Sequence, residues 1–235
     1  MRTTVLICTP DSRSDTFKRC YESLQATTRG IPYDLIIRDN RWNPKFNHAE
    51  EIVRTMSSAP EGDFITLDDD VELVGAWLEA MLENSENSKV RGIVATTEMK
   101  PNNLLWRRGW YCDNNANPIR WTGHIDRPQC VPAVSSCCML ITQQARERTI
   151  TIDYSTYKKY YFDIEWCLNC WNGNLSVHVI PEHCIHHGGV AVKKSGVYIT
   201  EILEHDRRMF IRRWGGRIQE LQKQYGHLWP MEFKF

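Results

Sequence analysis

No stretch of this 235-residue chain approaches the ~20 consecutive apolar residues needed to cross a bilayer as a helix, which argues against a membrane-spanning protein. Neither charge is in surplus. Lys and Arg number 29, as do Asp and Glu, and the pI is near 7.1, so no broad basic field is available to grip a phosphate backbone. The nine cysteines are an odd count without framework spacing, which excludes a disulfide scaffold and favours reduced thiols packed as small hydrophobes. There is no glycine-rich phosphate loop near the amino terminus, no internal repeat, no low-complexity segment and no linker. The opening "MRTTVLICTPDSR" has the rhythm of a first strand and not of a signal peptide, so a cytoplasmic location is expected.

What is present is an ordinary globular composition, 42% hydrophobic and 25% charged, sufficient for one core. "TTVLIC" at 3–8 reads as a central strand, and Ser14 stands where it can cap a helix whose Phe17, Cys20, Tyr21 and Leu24 share a face. "YDLIIRDN", "FNHAEEIVRTM" and "DFITL" continue as strand, helix and strand. This alternation predicts parallel strands with helical crossovers, and ligands in such sheets sit at the carboxyl ends of the strands. Those ends carry Thr9 and Asp11, then Asp39 and Asn40, then Asp68, Asp69 and Asp70. Further on, "RGIVATTEM", "VSSCCMLIT" and "LSVHVIPEH" read as strands and "YYFDIEWCLNCW" as the opening of a helix, while "LLWRRGWYCDNNANPIRW" reads as a hairpin turning at "DNNANP".

Three successive aspartates at a strand end repel one another, so water, hydrogen bonds or a cation must offset the cost. Alternation along an extended strand end would point Asp68 and Asp70 the same way, two hard oxygen donors suited to Mg²⁺ or Mn²⁺. The plainer alternative is a solvated acidic turn leading a helix that begins near Glu72.

Taken in order, "VLICTPDSR", "DLIIRDN", "FITLDDDVEL", "VSSCCMLI", "YYFDIEWCLNCWNGN" and "VIPEHCIHHGG" resemble the GT-A glycosyltransferases, most closely the inverting family-2 group. The resemblance covers about residues 3 to 190, and "DRRMFIRRWGG" is similar to the "F..KWG" ending of many members. It implies a single Rossmann-like GT-A domain of α/β class with a mixed central sheet over 1–195. Residues 1–99 would bind the nucleotide sugar, 100–195 the acceptor, and 196–235 would form a helical extension packed on the same domain. It implies a nucleoside-diphosphate sugar donor, UDP- or dTDP-linked, and a hydroxyl-bearing acceptor. Thr9, Asp11 and Asp39 correspond to positions that hold base and ribose, with Asp39 able to accept the imide proton of uracil or thymine, or simply to form an Asx turn. Asn47 resembles a family asparagine, and equally caps its helix. The aspartate run matches the family's metal motif, with Asp70 a direct ligand and Asp68 or Asp69 on the ribose or a metal-bound water.

In the family motif "ED.D" the second acid takes the proton of the attacking hydroxyl. Here "FDIE" places Asp163 at that position and Glu165, the alternate base, at the last, with Phe162 in place of the first acid. Counting from Pro181 makes His187 the expected third metal ligand beside Asp68 and Asp70, whereas an "H.GG" spacing selects His186; the imidazole mildly favours Mn²⁺. Cys167, Cys170, His183 and His187 also satisfy zinc-finger spacing, but Pro181 and the strand before it deny those histidines the helix a finger needs. Trp106, Arg107, Arg108, Trp110, Tyr111, Arg120 and Trp121 are assigned to the acceptor side or a lid, or to core beneath a long loop. "RRMFIRRW" is compatible with peripheral contact with an anionic membrane, and more simply with a packed helix whose basic face is solvated. The rival readings are a non-catalytic nucleotide-sugar or carbohydrate binder of the same fold, and a zinc-binding nucleic-acid module.

Overall fold

The computed structural model describes residues 2–42, 47–87, 91–113, 115, 117–149, 156–188 and 198–230. The expected boundary at 195/196 and Gly189 of the "HHGG" run lie outside the described residues.

Every residue of β1 (Thr3–Thr9) is buried, as befits a β-branched run covered on both faces. It pairs in parallel with β2 (Asp34–Asp39) on one side and with β3 (Asp63–Asp68) on the other. The crossovers are α1 (Asp15–Thr27) and α2 (His48–Ser58). Ser14 caps α1 by accepting from the Phe17 N–H at 3.2 Å, and Asn47 caps α2 by accepting from the Glu50 N–H at 3.1 Å. Past β3 the sheet becomes mixed. A short strand β10 (Cys138–Ile141) runs antiparallel between β3 and β5 (Arg91–Met99), and β11 (Ser176–His186) lies parallel to β5. On the far edge, β4 (Val71–Leu73) pairs antiparallel with β11. The order is therefore β2-β1-β3-β10-β5-β11-β4, with β6 (Leu105–Arg107) added to β5 and β9 (Gln129–Cys130) to β11. The expected hairpin is β7 (Gly109–Cys112) with β8 (Pro118–Trp121), a separate ribbon.

Period-two alternation sends each strand's residues into two cores. Val5, Ile7, Ile65, Leu67, Val94 and Leu140 join Phe17, Cys20 and Leu24 of α1 and Trp77 and Met81 of α3 (Trp77–Glu86). Leu6, Cys8, Phe64, Ile93, Met139 and Ile141 face the other way. That second core takes in α2, α5 (Phe162–Asn172), α6 (Tyr198–Trp214) and α7 (Ile218–Tyr225), with Phe210, Trp214 and Leu221 buried against α5 and the sheet. A six-residue helix α4 (Gln143–Arg148) follows β10, capped by Thr142.

One local expectation fails in an informative way. No helix starts near Glu72; Val71–Leu73 is strand, and α3 begins only at Trp77, after Gly75 turns the chain at φ 64°. The Val-Glu-Leu triplet alternates, so its two apolar residues are buried while Glu72 faces partly outward. Its pairing register, His186 opposite Val71 and Ile185 opposite Glu72, lays the aspartate run beside the histidines.

Candidate active site

Four strand ends deliver the polar residues to one edge of the sheet: β1 and β3 bring Thr9 and Asp68, β5 brings Glu98, and β11 brings His186. Asp68 closes β3, whereas Asp69 and Asp70 lie in a turn, so strand alternation no longer sets their directions. Asp69 turns inward and accepts from the Thr9 hydroxyl at 2.7 Å. Burial, with Asp70 and Asp68 adding repulsion against that hydrogen bond, pushes Asp69 up to about 6.

Asp68, Asp70 and His186 place one donor atom each within 4.8 Å of one another. His186 Nε2 is 3.2 Å from Asp70 Oδ1, and its other nitrogen, Nδ1, donates to Glu98 at 2.8 Å. His187, the histidine expected here, is not the one that joins them. Its ring lies 3.1 Å from Glu72 Oε2 and 3.0 Å from an Arg19 nitrogen, and only its backbone N–H reaches the Asp70 carbonyl, at 2.9 Å. Counting from Pro181 leads to His187, one residue past the end of β11, whereas the "H.GG" spacing leads to His186, the imidazole that lies beside Asp68 and Asp70. Two carboxylates and an imidazole are a donor set that fits Mn²⁺, and Mg²⁺ less well because of the nitrogen. Asp68 is also approached from α2, with His48 Nε2 at 3.6 Å from its Oδ1. Burial opposes ionisation of Asp68, but His48 and His186 outweigh it and hold it below the usual carboxylate range.

Asp163 lies in the first turn of α5, partly exposed, accepting from Ile164 N–H at 2.9 Å and Ser136 N–H at 3.3 Å. Burial raises its pKa above the ordinary value, Arg107 works against the rise, and the charge of Asp68 adds to it. The acid on α5 and the acids after β3 thus share one electrostatic neighbourhood. Glu165, the alternate base, has other work: it is 5% exposed and accepts from Tyr157 Oη, from Trp214 Nε1 at 3.0 Å and from Arg213 at 3.2 Å, latching α5 to α6.

At the other end of the edge, Asp11 and Asp39 converge on Arg41, at 3.5 and 2.8 Å. Burial would raise Asp39, but hydrogen bonds from the Ser12 hydroxyl and Arg41 overcome it and hold the group at about 2. Next to Arg41 the indole of Trp42 is 84% exposed. Ser12, Arg41, His48 and Glu98 escaped sequence reasoning; the "DSR" and "DNR" repeats of acid and base next to strand ends were the available signal for the first two. The tryptophan-arginine stretch is split: Trp121 is buried core, while Trp106 stacks on His186 at 4.9 Å and Arg107 pairs with Glu98. Cys167 and Cys170 are buried on α5, and among the described residues neither belongs to a group able to hold a metal. The apolar cavity lined by Trp110, Tyr111, Ala133, Leu168 and Trp229 contains no carboxylate and lies outside this chemistry.

No protein-family model and no curated protein matches the chain at the level of sequence. Solved structures do match. A crystal structure of GalNAc-T7 with UDP, GalNAc and Mn²⁺ superposes at a TM-score of 0.63 over 96% of this chain and 54% of that one, at 13% identity. Staphylococcus aureus TarS superposes at 0.52 over 77% of this chain and 35% of its own, at 11% identity. The chain has a glycosyltransferase fold of the GT-A kind. It spans about half the length of the GalNAc-T7 chain, and the likeness at these identities extends to the fold alone. Among the described residues no helix is long and apolar enough to cross a membrane.

Proposed function

We propose that the protein transfers a sugar from a nucleoside-diphosphate sugar, UDP- or dTDP-linked, to an acceptor hydroxyl with inversion at the anomeric carbon. The observation that carries this reading is the convergence of Asp68, Asp70 and His186 at the carboxyl edge of the sheet, with Asp163 in the same charged neighbourhood. The presence of UDP and Mn²⁺ in the GalNAc-T7 structure supports its nucleotide and metal parts.

In this reading Asp39, ionised at any physiological pH, accepts the imide N–H of the base, and Arg41 and Ser12 keep its carboxylate in place. Thr9 and Asp69 line the path toward the ribose. Asp68, Asp70 and His186 would hold Mn²⁺ or Mg²⁺, which when bound supplies positive charge against the departing diphosphate. Asp163 takes the proton from the acceptor hydroxyl as its oxygen bonds to the anomeric carbon and the carbon–phosphate-oxygen bond breaks. Burial that lifts Asp163 makes it a better base than a solvated aspartate. A single displacement leaves no covalent intermediate on the protein, which accords with Cys137 and Cys138 being buried core.

The test is a thermal-shift screen of UDP- and dTDP-sugars with and without Mn²⁺, since a ligand bound to the native state must stabilise it. A metal-dependent rise is expected for at least one donor. His186→Ala should remove it and His187→Ala should keep it; no donor response with or without metal defeats the reading.

A further inference from the structure

The end of β5 carries a buried acid that the mechanism above does not use. Glu98 is 3% exposed, at the close of "RGIVATTE", and opposite Cys184 in the β5–β11 register, two residues before His186. A carboxylate can only accept, so the 2.8 Å contact with His186 is a hydrogen bond from Nδ1–H to Oε2. This leaves Nε2 as the nitrogen toward Asp70, at 3.2 Å. The other Glu98 oxygen is tied to Arg107, whose guanidinium also donates to Ser135 Oγ at 2.9 Å, so the acid cannot swing away. The indole of Trp106 lies over the imidazole at 26° between planes, and Gly188 leaves the space it fills: a Cβ at 188 would stand 2.2 Å from that ring.

We propose that Glu98 is a positioning residue for the candidate metal centre, fixing the His186 ring so that Nε2 and not Nδ1 is presented beside Asp68 and Asp70. This rests on the reading of that centre given above. Histidines that ligate metals characteristically donate their second N–H to a carboxylate or carbonyl, which selects the tautomer and the ring orientation. Here the carboxylate has its own counter-charge in Arg107, and the indole closes the remaining rotational freedom. If Glu98 served only to neutralise Arg107, its removal would alter stability and leave ion binding in the folded protein unchanged.

The experiment titrates the full chain with Mn²⁺ alone, following free Mn²⁺ by EPR and the imidazole-nitrogen coupling of bound Mn²⁺ by pulsed EPR. Glu98→Gln is expected to weaken binding about 10- to 100-fold and to lose or diminish the nitrogen coupling. Because that change strands the Arg107 charge in the interior, Glu98→Gln/Arg107→Gln, which removes both charges, is measured beside it with the same expectation. Glu72→Gln, at the partner of His187, should bind as the parent does. Parental affinity with the nitrogen coupling intact in either folded Glu98 variant overturns the proposal. Absence of nitrogen-coordinated Mn²⁺ in the parent overturns instead the metal centre itself, and the two failures are distinguished by that first titration.

Discussion

Asp206 offers the sharpest test of how the carboxy-terminal helix governs the loop ahead of Asp163. It is fully buried, and its carboxylate accepts from the N–H groups of Lys158 at 3.0 Å, Lys159 at 2.9 Å and Tyr160 at 2.8 Å, and from His205 Nδ1 at 2.9 Å. In Asp206→Asn one oxygen remains as acceptor, and an NH₂ group is turned against backbone donors. A hydrogen bond to a charged group contributes about 1.5–3 kcal/mol, and an unsatisfied buried donor costs about 1–3 kcal/mol. The contacts share one carboxylate and do not add, so the net loss should be about 3 kcal/mol. For a chain of this size that corresponds to a melting temperature lower by about 6–12 °C, at about 2–4 °C per kcal/mol. Urea titration and calorimetry measure it, with Asp15→Asn as control, since the Asp15 side chain is 95% exposed. Tyr161, which joins the pinned loop to α5, sits in the left-handed region at φ 68°, a conformation that needs such external support. A midpoint for Asp206→Asn equal to that of the control would refute the claim that α6 restrains the loop.

Under the proposed mechanism, Asp163→Asn should lower turnover by about 10²- to 10⁴-fold while donor binding by calorimetry stays within about twofold of the parent, because the amide keeps the shape of the carboxylate and loses its basicity; unchanged turnover would exclude Asp163 from proton transfer. Asp69 gives a pH-dependent signature. Its native pKa of about 6 exceeds the unfolded value of about 3.9, so its contribution is fully present below pH ~4 and is lost as pH rises toward 6. Two units correspond to at most about 3 kcal/mol, and partial exposure reduces this to about 1 kcal/mol. The difference in unfolding free energy between Asp69→Asn and the parent should therefore change by that amount between pH 4 and 6.5, and a flat difference would show that Asp69 titrates normally.

The parallel first half was legible because its signals are local: a β-branched run, a capping serine, apolar residues at helical spacing. So was the α/β class with a mixed sheet and helices at the end. What stayed hidden depends on contacts between distant segments. Nothing local tells that Val71–Leu73 will pair with β11, and that register brings the imidazole of His186, and not that of His187, to the Asp70 carboxylate. Glu98 ends an apolar run and reads as the polar stop of a strand, although it is interior. Asp206, in "ILEHDRRMF", reads as one charge among many on a solvated helix face, because its three backbone donors lie 46 to 48 residues earlier. The choice between Asp163 and Glu165 is likewise open in "FDIE" and is narrowed only by Trp214 and Arg213 closing on Glu165 from α6.

That closure bears on how the molecule can be cut and recombined. A version trimmed before Tyr198 would lose the indole and guanidinium that occupy Glu165, leaving this buried acid, in the same helical turn as Asp163, with the Tyr157 hydroxyl. Chimeras among proteins of this architecture should therefore transplant α5 and α6 as a single cassette.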